Sequence, residues 1–199
     1  MATQSGKGER KSQRDRIVRA TAQLLRQRGY AATGLSDIIE TSGAPKGSLY
    51  HYFPGGKDDI AVEALRYAGE KVQATLSDLA RQEQTAAEVL RRYGVLVAGW
   101  MAESKFRDGC PIATTLLETA AEKSGAAEAG RAAFESWTDV LRDKLVQEGV
   151  AQSRAETLAR LAIMALEGAL ILARVEANAT PITSALDEIA AMMEREVVR

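Results

Sequence analysis

The sequence contains very little cysteine and histidine, with one residue of each among 199. A single cysteine excludes an intrachain disulfide, so the reducing cytoplasm is the expected compartment. One cysteine and one histidine also argue against a structural zinc site, which draws mainly on those two residue types. We therefore predict no metal and no cofactor.

The sequence also lacks a long uninterrupted apolar run. The most apolar stretch, Leu158 to Val175, is broken by Arg160, Glu167 and Arg174. A charge at the middle of a membrane span costs roughly 2.5–3.5 kcal/mol, so a helix buried in protein explains this stretch better. Residues 1–13 are small, polar and basic, without the apolar core of a signal peptide, and we predict a disordered arm there.

Residues 35–57 have the pattern of two short helices separated by a tight turn. Gly43 tolerates the positive φ that such a turn often needs, and Pro45 suits the first turn of the helix that follows. The second helix is mostly polar and aromatic, with Leu49 and Phe53 as its apolar anchors. This pattern is typical of a helix-turn-helix whose second helix enters a DNA major groove. Taken alone, it also fits an ordinary helical hairpin.

The wider segment, residues 14–66, resembles the DNA-binding domain of TetR-family transcriptional regulators. The similarity lies in the helix RIVRATAQLLRQRGYAAT, the helix SDIIETSG, the segment APKGSLYHYFPGGK and the apolar helix that follows. The resemblance implies an all-α fold with a three-helix helix-turn-helix DNA-binding domain over residues 14–57. A helix over about 57–80 would link it to a larger helical ligand-binding and dimerisation domain, residues 67–199.

The charge distribution agrees with this division. Residues 1–57 hold 10 basic and 4 acidic residues, a net charge of +6, whereas residues 58–199 carry −7. A basic module gains affinity for nucleic acid by releasing counterions from the phosphates. The acidic segment, residues 58–199, is repelled by the DNA phosphates, so the N-terminal end is expected to face DNA.

The resemblance carries DNA contacts over to eight positions. Lys46 can donate to guanine, and Ser48 can bond a base edge or a phosphate. Lys57 begins a helix, whose N-terminal end favours phosphate. Tyr50 has an alternative role as a buried aromatic that braces the helix, and the extra glycine in FPGGK departs from the commonest family pattern. The predicted contacts are Thr33, Lys46, Gly47, Ser48, Tyr50, His51, Tyr52 and Lys57.

Two helices predicted at the C-terminal end, residues 154–175 and 181–197, are candidates for a dimer interface. The first is apolar around most of its circumference, so it must be covered on several sides. We expect both to pair with their two-fold copies as a four-helix bundle, and the resemblance implies the same. The alternative is that both are internal core. The predicted interface residues are Leu158, Leu161, Leu172, Leu186, Ile189 and Met193.

The sequence around GCPIAT resembles the regulatory domain of the LmrA/YxaF-like subgroup, which implies a response to small, mostly apolar compounds. The alternative is that the aromatic residues there belong to the core, which is the better explanation for any single one of them. Glu167 is open to three interpretations: a ligand anchor, a hydrogen-bonding group of the dimer interface, or a solvated position. The predicted pocket residues are Trp100, Cys110, Leu116, Phe134, Trp137, Leu141, Met164 and Glu167.

The sequence therefore predicts a cytoplasmic, ligand-responsive transcriptional regulator, most simply a dimeric repressor. Its expected partners are palindromic double-stranded DNA, a small-molecule effector and a second copy of the chain, with no membrane partner. The alternative is a helical small-molecule or partner-binding protein without sequence-specific DNA function. No enzyme is predicted, because His51 and Cys110, the parts of a thiol–base pair, fall in different domains.

Overall fold

The computed structural model describes residues 5–121 and 124–197, with side chains from Gln13 onward. Within these residues the chain forms nine α-helices and no strand, which confirms the all-α prediction. The helices are α1 (Ser5–Arg28), α2 (Leu35–Ser42), α3 (Lys46–Tyr52), α4 (Lys57–Gln82), α5 (Ala86–Glu103), α6 (Pro111–Thr119), α7 (Gly125–Gln147), α8 (Gln152–Glu176) and α9 (Thr180–Glu196).

The disordered arm predicted over residues 1–13 is corrected by the structure. Residues 1–4 lie outside the described residues, but from Ser5 the backbone is helical and continuous with the rest of α1. Residues 5–14 contain no proline, the residue that most strongly breaks a helix. The amphipathic part of α1 therefore propagates upstream through these residues.

The chain divides into two compact units that do not follow the predicted domain boundary. The N-terminal unit contains Met1–Ala68 together with Pro111–Arg131, and the C-terminal unit contains Gly69–Cys110 and Ala132–Arg199. Thus α6 and the start of α7 belong to the same unit as the helix-turn-helix. The sequence analysis placed them in the ligand-binding domain, because position along the chain was the only guide available.

The N-terminal unit is built on an apolar cluster shared by α1 to α4, in which α3 is held by Leu49 and Phe53. Before α2, the Gly34 N–H donates to the Asp37 carboxylate at 2.9 Å. After it, Gly43 adopts φ +61, and its N–H donates to a carbonyl of the last turn. These two ends set the length of α2 and direct the chain into α3. The buried members are Ile17, Val18, Leu24, Ile38, Ala44, Leu49, Phe53 and Ile60.

The C-terminal unit packs α9 against both α5 and α8. Gly94 on α5 allows this approach, because a Cβ there would lie 3.0 Å from Leu186 Cδ1 on α9. On α8, a series of small side chains is buried: Ala155, Ala159, Ala162, Ala169 and Ala173. Small residues on the contact surface allow two helices to approach closely. Elsewhere in this unit, the buried Trp137 indole N–H donates to the Gly69 carbonyl at 3.0 Å.

None of the described helices is long and apolar enough to cross a membrane. The described side chains likewise form no group of three or more His, Cys, Asp or Glu residues that could hold a metal ion. The most apolar stretch of the chain lies within α8, where its leucine and alanine side chains contribute to the core of the C-terminal unit.

Candidate nucleic-acid interface and ligand site

One side of α3 is open to solvent. Lys46, Gly47 and His51 are exposed, and the Tyr50 side chain is 49% exposed. Because successive residues are rotated by about 100° around a helix, these four positions share one side. That side offers an ammonium group, uncovered backbone, a phenol and an imidazole, which suit contacts with base edges and phosphates. The alternative role of Tyr50 as a buried brace is excluded by its exposure.

The opposite side of α3 attaches it to the N-terminal unit. Leu49 and Phe53 are buried in the apolar cluster, and Tyr52 is half-buried against it. The Tyr52 and Phe53 rings meet edge to face, with centroids 6.5 Å apart. On the flank of the helix, the Ser48 hydroxyl donates to Gln13 Oε1 on α1 at 3.4 Å. Ser48 and Tyr52 therefore border the open side of α3 and do not lie on it.

Thr33 lies in the turn between α1 and α2, and its predicted phosphate contact is corrected by the structure. The side chain is fully buried, and its hydroxyl donates to the Gly29 carbonyl at 2.7 Å. A hydroxyl that is buried and already bonded cannot reach a DNA phosphate. Thr33 instead satisfies one of the carbonyl groups left without a partner at the end of α1.

Lys57 begins α4, and its Nζ lies 4.2 Å from the centroid of the Tyr30 ring. The Tyr30 hydroxyl in turn donates to the Asp58 carboxylate. In the preceding turn, the Gly55 N–H donates to Asp59 Oδ2 at 2.7 Å, and a Cβ on Gly55 would collide with that carboxylate. The glycine pair in FPGGK thus forms a tight turn, after which the half-buried Lys57 rests on an aromatic ring.

A contact that the sequence analysis did not predict joins α6 to the end of α1. The Glu118 carboxylate accepts hydrogen bonds from the backbone N–H groups of Tyr30, at 2.8 Å, and Ala31, at 2.6 Å. Gly29 precedes them with φ +80, and a Cβ on it would lie 2.4 Å from Glu118 Oε1. Because Glu118 follows Tyr30 by 88 residues, no local sequence pattern signals this contact.

Four of the six predicted dimer-interface residues are buried in the core of the C-terminal unit, at 7% exposure or less: Leu158, Leu186, Ile189 and Met193. These side chains have almost no surface left for a second copy, so the structure corrects their assignment. Leu161 is half-buried, and Leu172 is 52% exposed. Further apolar side chains of α8 are exposed beside Leu172, namely Met164, Ile171 and Val175.

Three titratable side chains come together in the C-terminal unit, one each from α5, α8 and the residue before α6. The Cys110 thiol is hydrogen-bonded to the Glu167 carboxyl, and Tyr93 lies close enough to both to respond to their charges. Glu167 Oε1 is shielded from solvent and has no hydrogen-bond partner among the described residues. Trp100, which is 46% exposed, meets the Tyr93 ring edge to face at 6.3 Å. We call these four residues the Glu167 cluster.

Tyr93 was missed in the sequence analysis because a tyrosine within an apolar helical pattern is normally core. The other predicted pocket residues lie outside the cluster. Phe134 and Trp137 form an edge-to-face pair 5.2 Å apart, and Leu141 is fully buried. Met164 is 63% exposed, and Leu116 belongs to the N-terminal unit. The structure therefore places Trp137 and Leu141 in the core and separates Leu116 from the cluster.

Burial determines the protonation of this cluster. It raises the pKa of Glu167 to about 7, and the hydrogen bond from the Cys110 thiol lowers that pKa by a smaller amount. Burial also raises the pKa of the Tyr93 phenol far above its usual range, with smaller contributions from the charges of Cys110 and Glu167. No cation is among the groups that shift the Glu167 pKa. The carboxyl is therefore protonated under mildly acidic conditions, because nothing nearby compensates its charge.

Comparison with known proteins accounts for both halves of the chain. Residues 17–64 match the bacterial regulatory proteins of the tetR family, and residues 86–188 match the C-terminal domain of LmrA/YxaF-like transcriptional regulators. The HTH-type transcriptional regulator LmrA of Bacillus subtilis is 32% identical, over 85% of this chain and 90% of its own. The chain belongs to the TetR family of transcriptional regulators.

Further similarities agree with this TetR-family assignment. An HTH-type transcriptional regulator of Mycobacterium tuberculosis is 37% identical, over 85% of this chain and 88% of its own. The crystal structure of a TetR regulatory protein from Rhodobacter sphaeroides aligns with a TM-score of 0.80 at 23% identity, covering 89% of this chain and 96% of that one. At that identity the likeness shows the fold alone. Both resemblances drawn from the sequence are confirmed, and this TetR-family member is, like its relatives, a DNA-binding transcriptional regulator and not an enzyme.

Glu167 should make the stability of this TetR-family protein depend on pH. Burial raises the Glu167 pKa from 4.5 in the unfolded chain to about 7 in the folded chain. Between these two pH values, the folded chain retains a proton that the unfolded chain releases. The stabilisation by this proton is complete below the window and is lost as pH rises through it. Glu167→Gln mimics the protonated carboxyl, so it should increase the free energy of unfolding above pH 7 by on the order of 2 kcal/mol.

Denaturant unfolding at a fixed protein concentration, repeated across this pH range, measures the effect. At the acidic end the variant and the wild type should be equally stable, because both are then neutral at this position. Glu135→Gln, on an exposed position of α7, is the matched control and should show no pH-dependent gain. If Glu167→Gln raises the free energy of unfolding equally at both ends of the pH range, burial of the ionised carboxyl is not the cause.

Proposed function

We propose that this regulator is a cytoplasmic repressor that binds a palindromic operator as a homodimer and is released by a small, mostly apolar molecule. The observation that carries the proposal is the open side of α3. Its polar and aromatic side chains face solvent while two apolar residues anchor its other side. A short helix presented in this way within a TetR-type helix-turn-helix is suited to enter a major groove.

Within that helix, we assign base reading to Lys46 and Tyr50, and close backbone approach to Gly47. Lys46 is exposed at the first position of α3, where an ammonium group can donate to guanine O6 and N7. Apart from its chain neighbours and its own helix, no described atom lies within 4 Å of the position that a Cβ on Gly47 would occupy, so the backbone there is accessible to DNA. His51 and the half-buried Lys57 are assigned to phosphate, which fixes position but carries no sequence information.

A dimer is proposed because one α3 reads only a few base pairs, and because α8 leaves apolar side chains exposed. Met164, Ile171, Leu172 and Val175 are 52–78% exposed and follow one another at helical spacing. A contiguous apolar surface of this kind marks an interaction site on a folded chain. A second copy, placed by a two-fold axis, would cover the same side chains on both subunits.

Ile171→Glu is expected to weaken this dimer about 100-fold or more, since it would place two unpaired carboxylates at the interface. Sedimentation velocity across a protein dilution series measures the dissociation constant. Leu117→Glu on α6 provides the control, because Leu117 is 82% exposed and lies in the other unit. Its dissociation constant should stay unchanged. A shift of equal size in both variants, or in neither, would move the interface away from α8.

Selection from random duplex DNA at about 150 mM salt, followed by sequencing, tests the proposed function as a whole. Enrichment of a two-fold symmetric motif is the expected result, and it would also provide the probe for an inducer screen. If the folded, dimeric protein enriches no motif, sequence-specific operator binding is excluded. The chain would then act as a helical binding protein whose basic unit engages an acidic partner.

A further inference from the structure

We propose that the Glu167 cluster is the ligand-anchoring point of the C-terminal unit, and that it selects small aromatic or apolar molecules carrying a protonated amine. The carboxyl of Glu167 would accept from the ammonium group of the ligand, and the Tyr93 and Trp100 rings would contact its apolar part. This inference rests on the proposed ligand response and specifies its chemistry.

The first support is the unused acceptor on Glu167. Its Oε1 is shielded from solvent and has no hydrogen-bond partner among the described residues. Buried polar atoms are nearly always bonded, and an orphan in a folded protein calls for an explanation such as a missing ligand. An ionised carboxylate oxygen only accepts hydrogen bonds, so above the Glu167 pKa of about 7 the group that completes it is a donor.

The second support is the character of the surrounding groups. Among the described residues, the titratable side chains that act on Glu167 or respond to its charge are Cys110 and Tyr93, both weak acids, and no cation contributes to the Glu167 pKa. An ionised carboxylate in this position lacks a counter-charge. A ligand ammonium provides both the donor and the charge, whereas an alcohol provides only the donor.

The third support is the aromatic pair formed by Tyr93 and Trp100. Tyr93 is buried, whereas Trp100 is 46% exposed and meets it edge to face. An exposed tryptophan next to a buried tyrosine offers an apolar surface that an aromatic ligand can cover. Aromatic faces also attract cations, and Trp is the strongest of them in this respect. The cluster thus combines an acceptor for the amine with a surface for the attached ring.

Isothermal titration calorimetry with matched probes tests the assignment. The probes are 2-arylethylamines carrying phenyl, naphthyl or biphenyl rings, each paired with the 2-arylethanol of the same ring. At about pH 7.5 at least one amine should bind the wild type about tenfold or more tightly than its alcohol. Glu167→Gln should lose at least about tenfold in amine affinity and keep its alcohol affinity within about twofold. Glu135→Gln should behave as the wild type.

Proton release provides a second readout that a purely structural role for Glu167 would not change. An ammonium ligand favours the ionised carboxyl, so binding below the Glu167 pKa of about 7 should expel a proton. Titrations in buffers of different ionisation enthalpy measure this proton. We expect release with the wild type and an amine, and none with Glu167→Gln or with an alcohol.

The inference is overturned if no amine in the series binds, if amine and alcohol bind equally, or if Glu167→Gln retains full amine affinity. Operator binding separates this failure from failure of the proposed function. The wild type and Glu135→Gln should hold the selected operator without amine and be released by amine, whereas amine should leave the operator affinity of Glu167→Gln unchanged. If neither chain binds operator selectively, the proposed function fails, while calorimetry still decides whether Glu167 anchors amines.

Discussion

Lys46→Ala is expected to reduce the preference for the selected operator over random DNA by about 10- to 100-fold, the loss of one good base contact. Lys46 is the exposed cation at the first position of α3, and no hydrogen bond or ion pair ties it to the described part of the chain. Its removal should therefore leave folding unchanged. Competition binding with operator and scrambled duplexes at a fixed salt concentration measures the preference.

Lys57→Ala is the matched comparison. It removes a cation assigned to phosphate, so it should weaken operator and scrambled DNA by the same factor and reduce the salt slope by about one. If Lys46→Ala also weakens both duplexes equally, Lys46 contacts phosphate and the base-reading assignment passes to Tyr50. Lys57 additionally lies over the Tyr30 ring, so the thermal stability of this variant should be recorded alongside its affinity.

Gly29→Ala is expected to lower the free energy of unfolding by about 2–4 kcal/mol. Gly29 has φ +80, a conformation that an L side chain rarely adopts, and the new Cβ would lie 2.4 Å from Glu118 Oε1. The carboxylate must then withdraw from the N–H groups of Tyr30 and Ala31, which lose their acceptor. Denaturant unfolding at a fixed protein concentration gives the magnitude.

Gly99→Ala on α5 controls for the substitution itself. No atom lies within 4 Å of a Cβ at that position, so alanine there should be neutral or stabilise by about 0.5–1 kcal/mol. The double variant Gly29→Ala with Glu118→Ala should cost less than the sum of the single changes, because the hydrogen bonds to Glu118 are lost only once and the new Cβ no longer meets its carboxylate. Strict additivity would show that Glu118 and Gly29 do not interact.

The sequence was a good guide wherever the information is local. Gly43 and Pro45 set the limits of α2 and α3, and the spacing of Leu49 and Phe53 identified the buried side of α3. Glycine and proline restrict the backbone at their own positions, so their effect can be read without tertiary structure.

The sequence was a poor guide wherever the answer depends on which surface another helix covers. The α8 leucines fitted either an interface or a core, and only the packing of the folded C-terminal unit separates buried Leu158 from exposed Leu172. The predicted phosphate contact of Thr33 was wrong for a related reason, because its hydroxyl donates to a carbonyl within the turn and not outward. Glu118 had no signal at all, because its partners are backbone N–H groups, which every residue except proline carries.

The location of α6 has a consequence for building chimeric regulators. A graft that cuts the chain at Ala68 would keep the helix-turn-helix and lose Glu118, whose carboxylate accepts from backbone N–H groups in the turn after α1. The N–H groups of Tyr30 and Ala31 would then depend on whatever the donor effector module offers at that point. A fusion should therefore carry Pro111–Arg131 together with the helix-turn-helix. The part of this protein that can be exchanged is therefore discontinuous in sequence. Its two segments are joined by the hydrogen bonds of Glu118, not by a linker.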